Sequence, residues 1–549
     1  MPTVSEKTWF IIAMVIYLAV MLGIGVWSFT KTDKYEDYMV GGRGLHPFVA
    51  ALSAGASDMS GWLLMGLPGA LFMSGFSEIW MGVGLLIGCW LNWKLVAPRL
   101  RSYTEVSNNS ITVPSFFENR LRDHSHTLRV VAGIIILVFF VFYVSSGMVA
   151  GGRYFQSSFD GDYLTGLAII GAVTVVYTFV GGFLAVSYTD VVQGSMMFLA
   201  LILVPVFAII SLDNPGDIFT YQLDNDYGSM ADGAVNAVAA NSNFYNLFQF
   251  NDTTTWAAFI IIISNLAWGL GYFGQPHIVV RFMAMRKPSD AVAGRRWGVS
   301  WMFLCLIGAV FIVMTAPVFF AQTPEAMFSD TANYETNFLD MAKVLFHPLV
   351  AGLILTAVLA AIMSTVSSQL LVVASALVED IYAGMINKNA SDTLLKNLSR
   401  AMVVIVAIIA ALIALDPDSA ILGLVEFAWA GFGAAFGPVI VASLYWRRLN
   451  AQGAAAGMIA GALVAFIWGG LPQFGVMDKP FGLYEMIPGV ALNVILMVTV
   501  TLATKAPSKE ITDEFDEALR FAQLTVDNGD ADLEAARAKV EAESAEGKL

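Results

Sequence analysis

Charged side chains are scarce in this 549-residue chain, at 13%, against 57% hydrophobic residues. A soluble protein of that size needs a larger charged share to cover its surface. Composition therefore excludes a soluble multidomain protein and places the chain in a lipid bilayer. Cysteine is scarcer still: Cys89 and Cys305 both fall inside apolar runs and read as small buried hydrophobes, which excludes a disulfide framework or a cysteine metal cluster. No glycine loop carries a lysine to cradle phosphates, so ATP-driven pumping has no support in the sequence. The net charge of −14 excludes a basic nucleic-acid surface. The expectation is a non-enzyme with no cofactor and no obligate protein partner.

What the chain does have is long apolar runs, each able to cross a hydrocarbon core of about 30 Å. Thirteen are expected, at 8–29, 47–74, 78–98, 127–157, 163–182, 188–212, 254–284, 295–321, 345–380, 398–416, 420–446, 454–472 and 484–504. The first is too long for a signal peptide, and no small-residue cleavage pattern follows it. The fold class is an all-α polytopic membrane protein. Basic residues resist translocation, and most of them fall on one side when the N-terminus is outside and the C-terminus cytoplasmic. The 213–253 connection carries no Lys or Arg, as an external loop should.

Two helices are interrupted. The second breaks at "SAGASDMSGW", Ser53 to Trp62, and the seventh at "NLAWGLGYFGQPHIVVRF", Asn265 to Phe282, where Gly269, Gly271, Gly274 and Pro276 loosen helix hydrogen bonding. A pair of breaks at corresponding places points to a transporter of inverted repeats with its site at the membrane midplane. Their spacing fits five helices repeated as a second five, with one helix before and two after. Residues 1–46 are then the first helix and a cytoplasmic loop, and 47–446 the transport core, divided as 47–253 and 254–446. Residues 447–504 hold the last two helices. The acidic tail, 505–549, reads as a short solvated helix with a loose end.

An unwound helix inside the membrane frees carbonyls that need partners. Those of Ala56 and Met59 suit a hard cation such as sodium, which takes oxygen ligands. In "AAIMSTVSSQLL", Ala361, Ser364 and Thr365 share one helix face at i, i+3 and i+4 and supply matching hydroxyls. Such hydroxyls also commonly bond back to their own helix. Asp58 reads either as an ion-organising carboxylate or as a cap on the second half-helix. Trp268, Tyr272 and Pro276 at i, i+4 and i+8 suit either packing or a small solute with an apolar ring and charged ends, and Tyr143 is of the same kind. Asp190 reads as a helix N-cap, Arg43 as a topological charge, and Glu426 as an intramembrane acid with no evident partner.

Together "YMVGGRGL", "SAGASDMSGWLLMGLPGALF", "LAWGLGYFGQPHIVVRFMA", "AAIMSTVSSQLLVVASALVEDIY" and "AWAGFGAAFGP" resemble the solute:sodium symporter family, most closely its bacterial sodium/proline branch, over residues 8–504. The resemblance implies about 13 transmembrane helices with a five-plus-five inverted-repeat core and discontinuous helices. It implies sodium as coupling ion at the carbonyls of Ala56, Met59 and Ala361 and the hydroxyls of Ser364 and Thr365. It further implies that Asp58, Ser60 and Gly61 are sodium-linked, that Tyr143, Trp268, Tyr272 and Pro276 serve L-proline, and that Asp190 serves cation passage. The expected setting is the bacterial cytoplasmic membrane. Other readings are a family member for another small solute, a proton-driven variant, and a membrane sensor on a transporter fold, which the short tail without a kinase or receiver module disfavours.

Overall fold

With no water in the hydrocarbon, every backbone N–H and C=O must be paired within the chain, and a helix does this locally. The computed structural model, which describes residues 4–30, 41–220, 244–248, 254–323, 331–417, 419–473, 475–527 and 533–545, contains no β-strand among them. In chain order the main helices begin with α1 (Val4–Phe29), α2 (Pro47–Asp58) and, after a bend of 60°, α3 (Trp62–Ser74). They continue as α4 (Phe76–Val106), α5 (Val113–Leu121), α6 (Thr127–Phe159), α7 (Tyr163–Phe179) and α8 (Gly182–Ser211). The second half holds α9 (Thr255–Gly274), α10 (Pro276–Met283), α11 (Asp290–Gln322), α12 (Asn337–Leu345), α13 (Pro348–Ile386), α14 (Asp392–Ile413) and α15 (Ile421–Tyr445). Then come α16 (Ala451–Gln473), α17 (Met486–Ala503), α18 (Lys509–Asp527) and α19 (Leu533–Ala545).

Among the described residues, 11 helices are long and apolar enough to cross a membrane, or up to 12 when the bent pair α2–α3 is one span. The helix α7 is apolar but shorter, so length and composition alone do not reach the thirteen expected. Most of the 213–253 connection and residues 38–40 of "YMVGGRGL" lie outside the described residues.

Helix contacts repeat when the halves are exchanged. α2 packs on α11 and on the α7–α8 segment, just as the α9 break packs on α4 and on α15. α6 packs on α15 as α13 packs on the α7–α8 segment.

Both expected breaks are present. At the second, Trp268–Gly274 is 3-10 helix and Gln275 is extended before Pro276 opens α10. Glycine makes this geometry possible through close approach: a Cβ on Gly88 would lie 2.1 Å from the Gly269 carbonyl oxygen, and one on Gly269 would lie 2.2 Å from that of Gly84. α4 and α9 thus touch backbone to backbone.

The tail differs from the sequence reading. α18 is amphipathic, and Phe515 and Ala518 on its apolar side are buried. The Phe515 ring meets Tyr103 edge-on, and Ser102 Oγ donates to the Ala518 carbonyl at 2.7 Å. Arg447 grips the Asp516 carboxylate at 2.6 Å, and α19 buries Ala536 and Val540 in one cluster with Phe521 and Leu524. A hydrophobic stripe needs cover, and the ends of α4 and α5 provide it.

Replacing Gly88 by Ala is expected to destabilise the fold by about 1–3 kcal/mol. Thermal unfolding of the purified protein in detergent measures it; an unshifted midpoint would show that α4 and α9 part without cost.

Candidate functional site

The first break turns helix backbone into a buried pocket, where side chains take over its pairing. Past Asp58 the chain leaves the helix at Met59 (φ −80°, ψ 68°), and the Asp58 carbonyl accepts from Trp62 Nε1 at 3.1 Å and from the Tyr143 hydroxyl at 3.3 Å. The Asp58 carboxylate accepts a short hydrogen bond from the Tyr272 hydroxyl, so the two broken helices meet side chain to side chain. Its Oδ1 has no hydrogen-bond partner among the described residues. The capping reading fails: Gly61 precedes the second half-helix, which has no side-chain cap. Gly61 instead admits close neighbours, since a Cβ there would lie 3.0 Å from that of Ala150 and 3.2 Å from Ile362 Cγ1.

Four of the five expected oxygen ligands converge. Ser364 Oγ donates to the Ala56 carbonyl at 2.7 Å and stands 3.0 Å from that of Ala361. Thr365 Oγ1 stands 3.5 Å and 3.2 Å from the same two oxygens. Back-bonding and cross-helix bonding are both present, so the two readings of these hydroxyls coexist. Met59 lies fully buried at the break itself, and Ser60 Oγ accepts from the Trp62 amide at 3.4 Å.

Aromatic rings line the second break. Trp268 stacks on Trp429 with centroids 6.3 Å apart, and Tyr272 meets Trp429 edge-on at 5.2 Å. Trp429 Nε1 donates to the Trp268 carbonyl at 2.8 Å, and Asn92 Nδ2 to that of Tyr272 at 2.8 Å. These two donors satisfy carbonyls freed by the break. Sequence reasoning missed Trp429, Trp62 and Asn92 as members; a tryptophan among glycines and alanines in "AWAGFGAAFGP" was the available signal for the first. Asp58, Met59 and Tyr272 share a cavity of about 10 Å³, room for roughly one water.

Not every expected residue joins this group. Pro276 lines a different cavity, with Thr112, Arg281, Ser368 and Asp380. Asp190 sits inside α8, eight residues past the turn at Gly182 (φ 61°), and caps nothing. It accepts from Ser53 Oγ at 2.6 Å and lies 3.3 Å from Arg281 Nη2, which also reaches Ser368 Oγ at 2.6 Å. Glu426 has a partner after all in Lys479, 2.7 Å away. Arg43 donates to Thr104 Oγ1 and the Ser110 carbonyl, a structural role beyond topology.

The profile of the Sodium:solute symporter family matches residues 38–461. The chain belongs to that family. This symporter is 47% identical to the high-affinity proline transporter PutP of Bacillus subtilis (strain 168), over 90% of its own length and 98% of the relative's. It is 46% identical to the sodium/proline symporter of Escherichia coli (strain K12), covering 92% and 96%, and 48% identical to the osmoregulated proline transporter OpuE of B. subtilis, covering 91% and 96%. Among solved structures, a Na+-coupled sialic acid symporter in a substrate-bound outward-open state superposes with a TM-score of 0.75 at 18% identity, over 91% of this chain and 99% of that one. That likeness establishes the fold alone, a bundle of many helices.

Tyr272→Phe removes the donor to a buried carboxylate and is expected to destabilise the symporter by roughly 1–3 kcal/mol. Detergent melting of Tyr272→Phe beside the double variant Tyr272→Phe/Asp58→Asn measures it; equal melting of wild type and the single variant would show that the hydrogen bond contributes nothing.

Proposed function

We propose that this symporter imports L-proline by alternating access, driven by sodium entering with it. The observation that carries the reading is the meeting of Asp58 with Tyr272. It joins a cluster of carbonyl and hydroxyl oxygens to an aromatic pocket, so occupancy of one bears on the geometry of the other. Proline transport named in relatives 46–48% identical across nine-tenths of the chain supports the choice of solute.

In this reading sodium is held by the carbonyls of Ala56, Met59 and Ala361 and by Ser364 and Thr365. Both hydroxyls now donate to Ala56 or Ala361; rotation about the C–O bond turns their lone pairs to a cation without moving either helix. Asp58, with Ser60 and Gly61, organises the break, and its uncompensated carboxylate oxygen draws positive charge toward it. Proline lies against Trp268 and Tyr272, with Tyr143 anchoring the Asp58 carbonyl and Pro276 opening the helix below. Asp190 serves cation passage beside Arg281. The chemistry is binding and release, with no bond made or broken and no cofactor beyond the coupling ion. The symporter sits in the bacterial cytoplasmic membrane with its N-terminus outside and its C-terminus cytoplasmic. Another small solute is the alternative occupant of the aromatic pocket.

Proteoliposomes holding the purified symporter are expected to accumulate radiolabelled proline when an inward sodium gradient is imposed. Accumulation driven by a proton gradient and indifferent to sodium would sink the coupling assignment. Accumulation of another solute in its place would reassign the pocket.

Equilibrium proline binding across a sodium titration tests the link between the sites. Ser364→Ala and Thr365→Ala should need more sodium for half-maximal proline binding, yet recover most of their affinity once sodium saturates, because binding linkage is reciprocal. Trp268→Ala should stay weaker by roughly 1–3 kcal/mol at any sodium concentration. An unaltered sodium dependence in both hydroxyl variants would make those groups helix packing.

A further inference from the structure

The wall of the aromatic pocket is completed from outside the ten-helix repeat. Residues 475–485 join α16 to α17 and turn back over the core. Tyr484, 2% exposed, stacks on Trp268 with centroids 5.5 Å apart and rings inclined by 22°. Its hydroxyl donates to the Glu426 carbonyl at 3.1 Å, and its amide N–H donates to Ser264 Oγ at 3.1 Å. One residue of the connection therefore touches α9 and α15, the two helices that carry Trp268, Tyr272 and Trp429.

A clasp lies beside this ring. Lys479 Nζ stands 2.7 Å from Glu426 Oε1 and 3.0 Å from Glu485 Oε2. The lysine and Glu426 side chains are 29% exposed and that of Glu485 1%. Burial works against the Lys479 charge, but Glu426 and Glu485 together raise its proton affinity above the ordinary lysine value, so the ammonium is charged at neutral pH, while burial pushes the Glu485 carboxyl up to about 7. An exposed pair of this kind contributes little by itself; two carboxylates on one half-buried ammonium form a network and hold more. Trp468 Nε1 donates to the Leu483 carbonyl at 3.0 Å and ties the connection to α16.

We propose that Tyr484 is a positioning residue that holds Trp268 against Trp429 at the second break, and that Lys479, gripping Glu426 and Glu485, keeps Tyr484 in place. The inference rests on the proline reading above. In this proposal the Trp268 side of the site opens when this ring moves with α17 or the clasp releases. Where the tight-binding form is the closed one, affinity falls with the fraction of protein that is closed, so a weakened clasp lowers proline affinity and speeds release. Sodium ligation, which Tyr484 does not touch, stays as it was.

The test is equilibrium binding and dilution-triggered release of radiolabelled proline at saturating sodium, on detergent-purified symporter. Tyr484→Ala is expected to raise the proline Kd by roughly 2- to 12-fold, the range for losing one aromatic pair, while Tyr484→Phe keeps the stacking and most of the affinity. Lys479→Gln should raise Kd and release rate in the same direction, Lys479→Arg should restore both, and adding Glu426→Gln to Lys479→Gln should do little more, because the two charges act as one unit. The sodium concentration for half-maximal binding should match wild type in all of them. Lys479→Gln changes a half-buried side chain in the connection and keeps the proposal open to refutation should Tyr484→Ala fold poorly. Wild-type Kd and release rate in Lys479→Gln, or a loss that Lys479→Arg does not restore, would overturn it. Wild-type protein that fails to bind proline with sodium present would instead remove the functional reading beneath it.

Discussion

A helix that stops at Asp58 in the hydrocarbon leaves carbonyls that lipid cannot satisfy, and the core is arranged to supply what they need. An unpaired buried carbonyl costs several kcal/mol in such surroundings. Trp62 Nε1 and the Tyr143 hydroxyl serve the Asp58 carbonyl, and Ser364 serves that of Ala56. These donors come from α3, α6 and α13, so satisfying one break fixes three neighbours around it. The second break is served likewise, by Trp429 of α15 and Asn92 of α4. Only the hydroxyls in this set, those of Tyr143 and Ser364, can rotate and present acceptor lone pairs as well.

Close approach of backbones makes these partnerships reach. Gly84, Gly88 and Gly269 bring α4 against the second break, and Gly271 leaves room for Trp429, whose Nε1 would lie 1.9 Å from a Cβ at that position. In a membrane, apolar side chains gain nothing by leaving lipid for one another, so tight van der Waals contact and interhelical hydrogen bonds carry association. Small residues therefore concentrate where the helices are broken. Stability and the site draw on the same contacts.

A buried ion pair links four helices of the core. Asp190 and Arg281 are both buried, and Ser53 and Ser368 join their hydrogen bonding across α2, α10, α8 and α13, leaving Asp190 Oδ1 without a hydrogen-bond partner among the described residues. Replacing one member of such a cluster leaves an uncompensated charge, which is far costlier than never having had the pair. Glu426 and Lys479 at one end, and Arg447 with Asp516 at the other, tie the core to the helices and tail that follow the repeat.

Much of this was legible in the primary sequence. Apolar runs fixed the class of the protein because bilayer thickness sets helix length, and glycine clusters with one aspartate marked both breaks because their backbone preferences are local. Ala361, Ser364 and Thr365 could be placed on one face since helical periodicity is itself a sequence property. Beyond that range the sequence was silent or misleading. Asp58 read equally as a cap, and only packing set Tyr272, 214 positions away, against its carboxylate. Asp190 looked like a helix start because nothing local announced that α8 begins at Gly182. The tail read as solvated because the surface covering Phe515 comes from α4 and α5, and Tyr484 carried no signal because its partner Trp268 lies 216 positions earlier (484 − 268). Local backbone preference and periodicity are written residue by residue; which freed carbonyl meets which donor depends on contacts between segments hundreds of residues apart, and these exist only once the helices have packed.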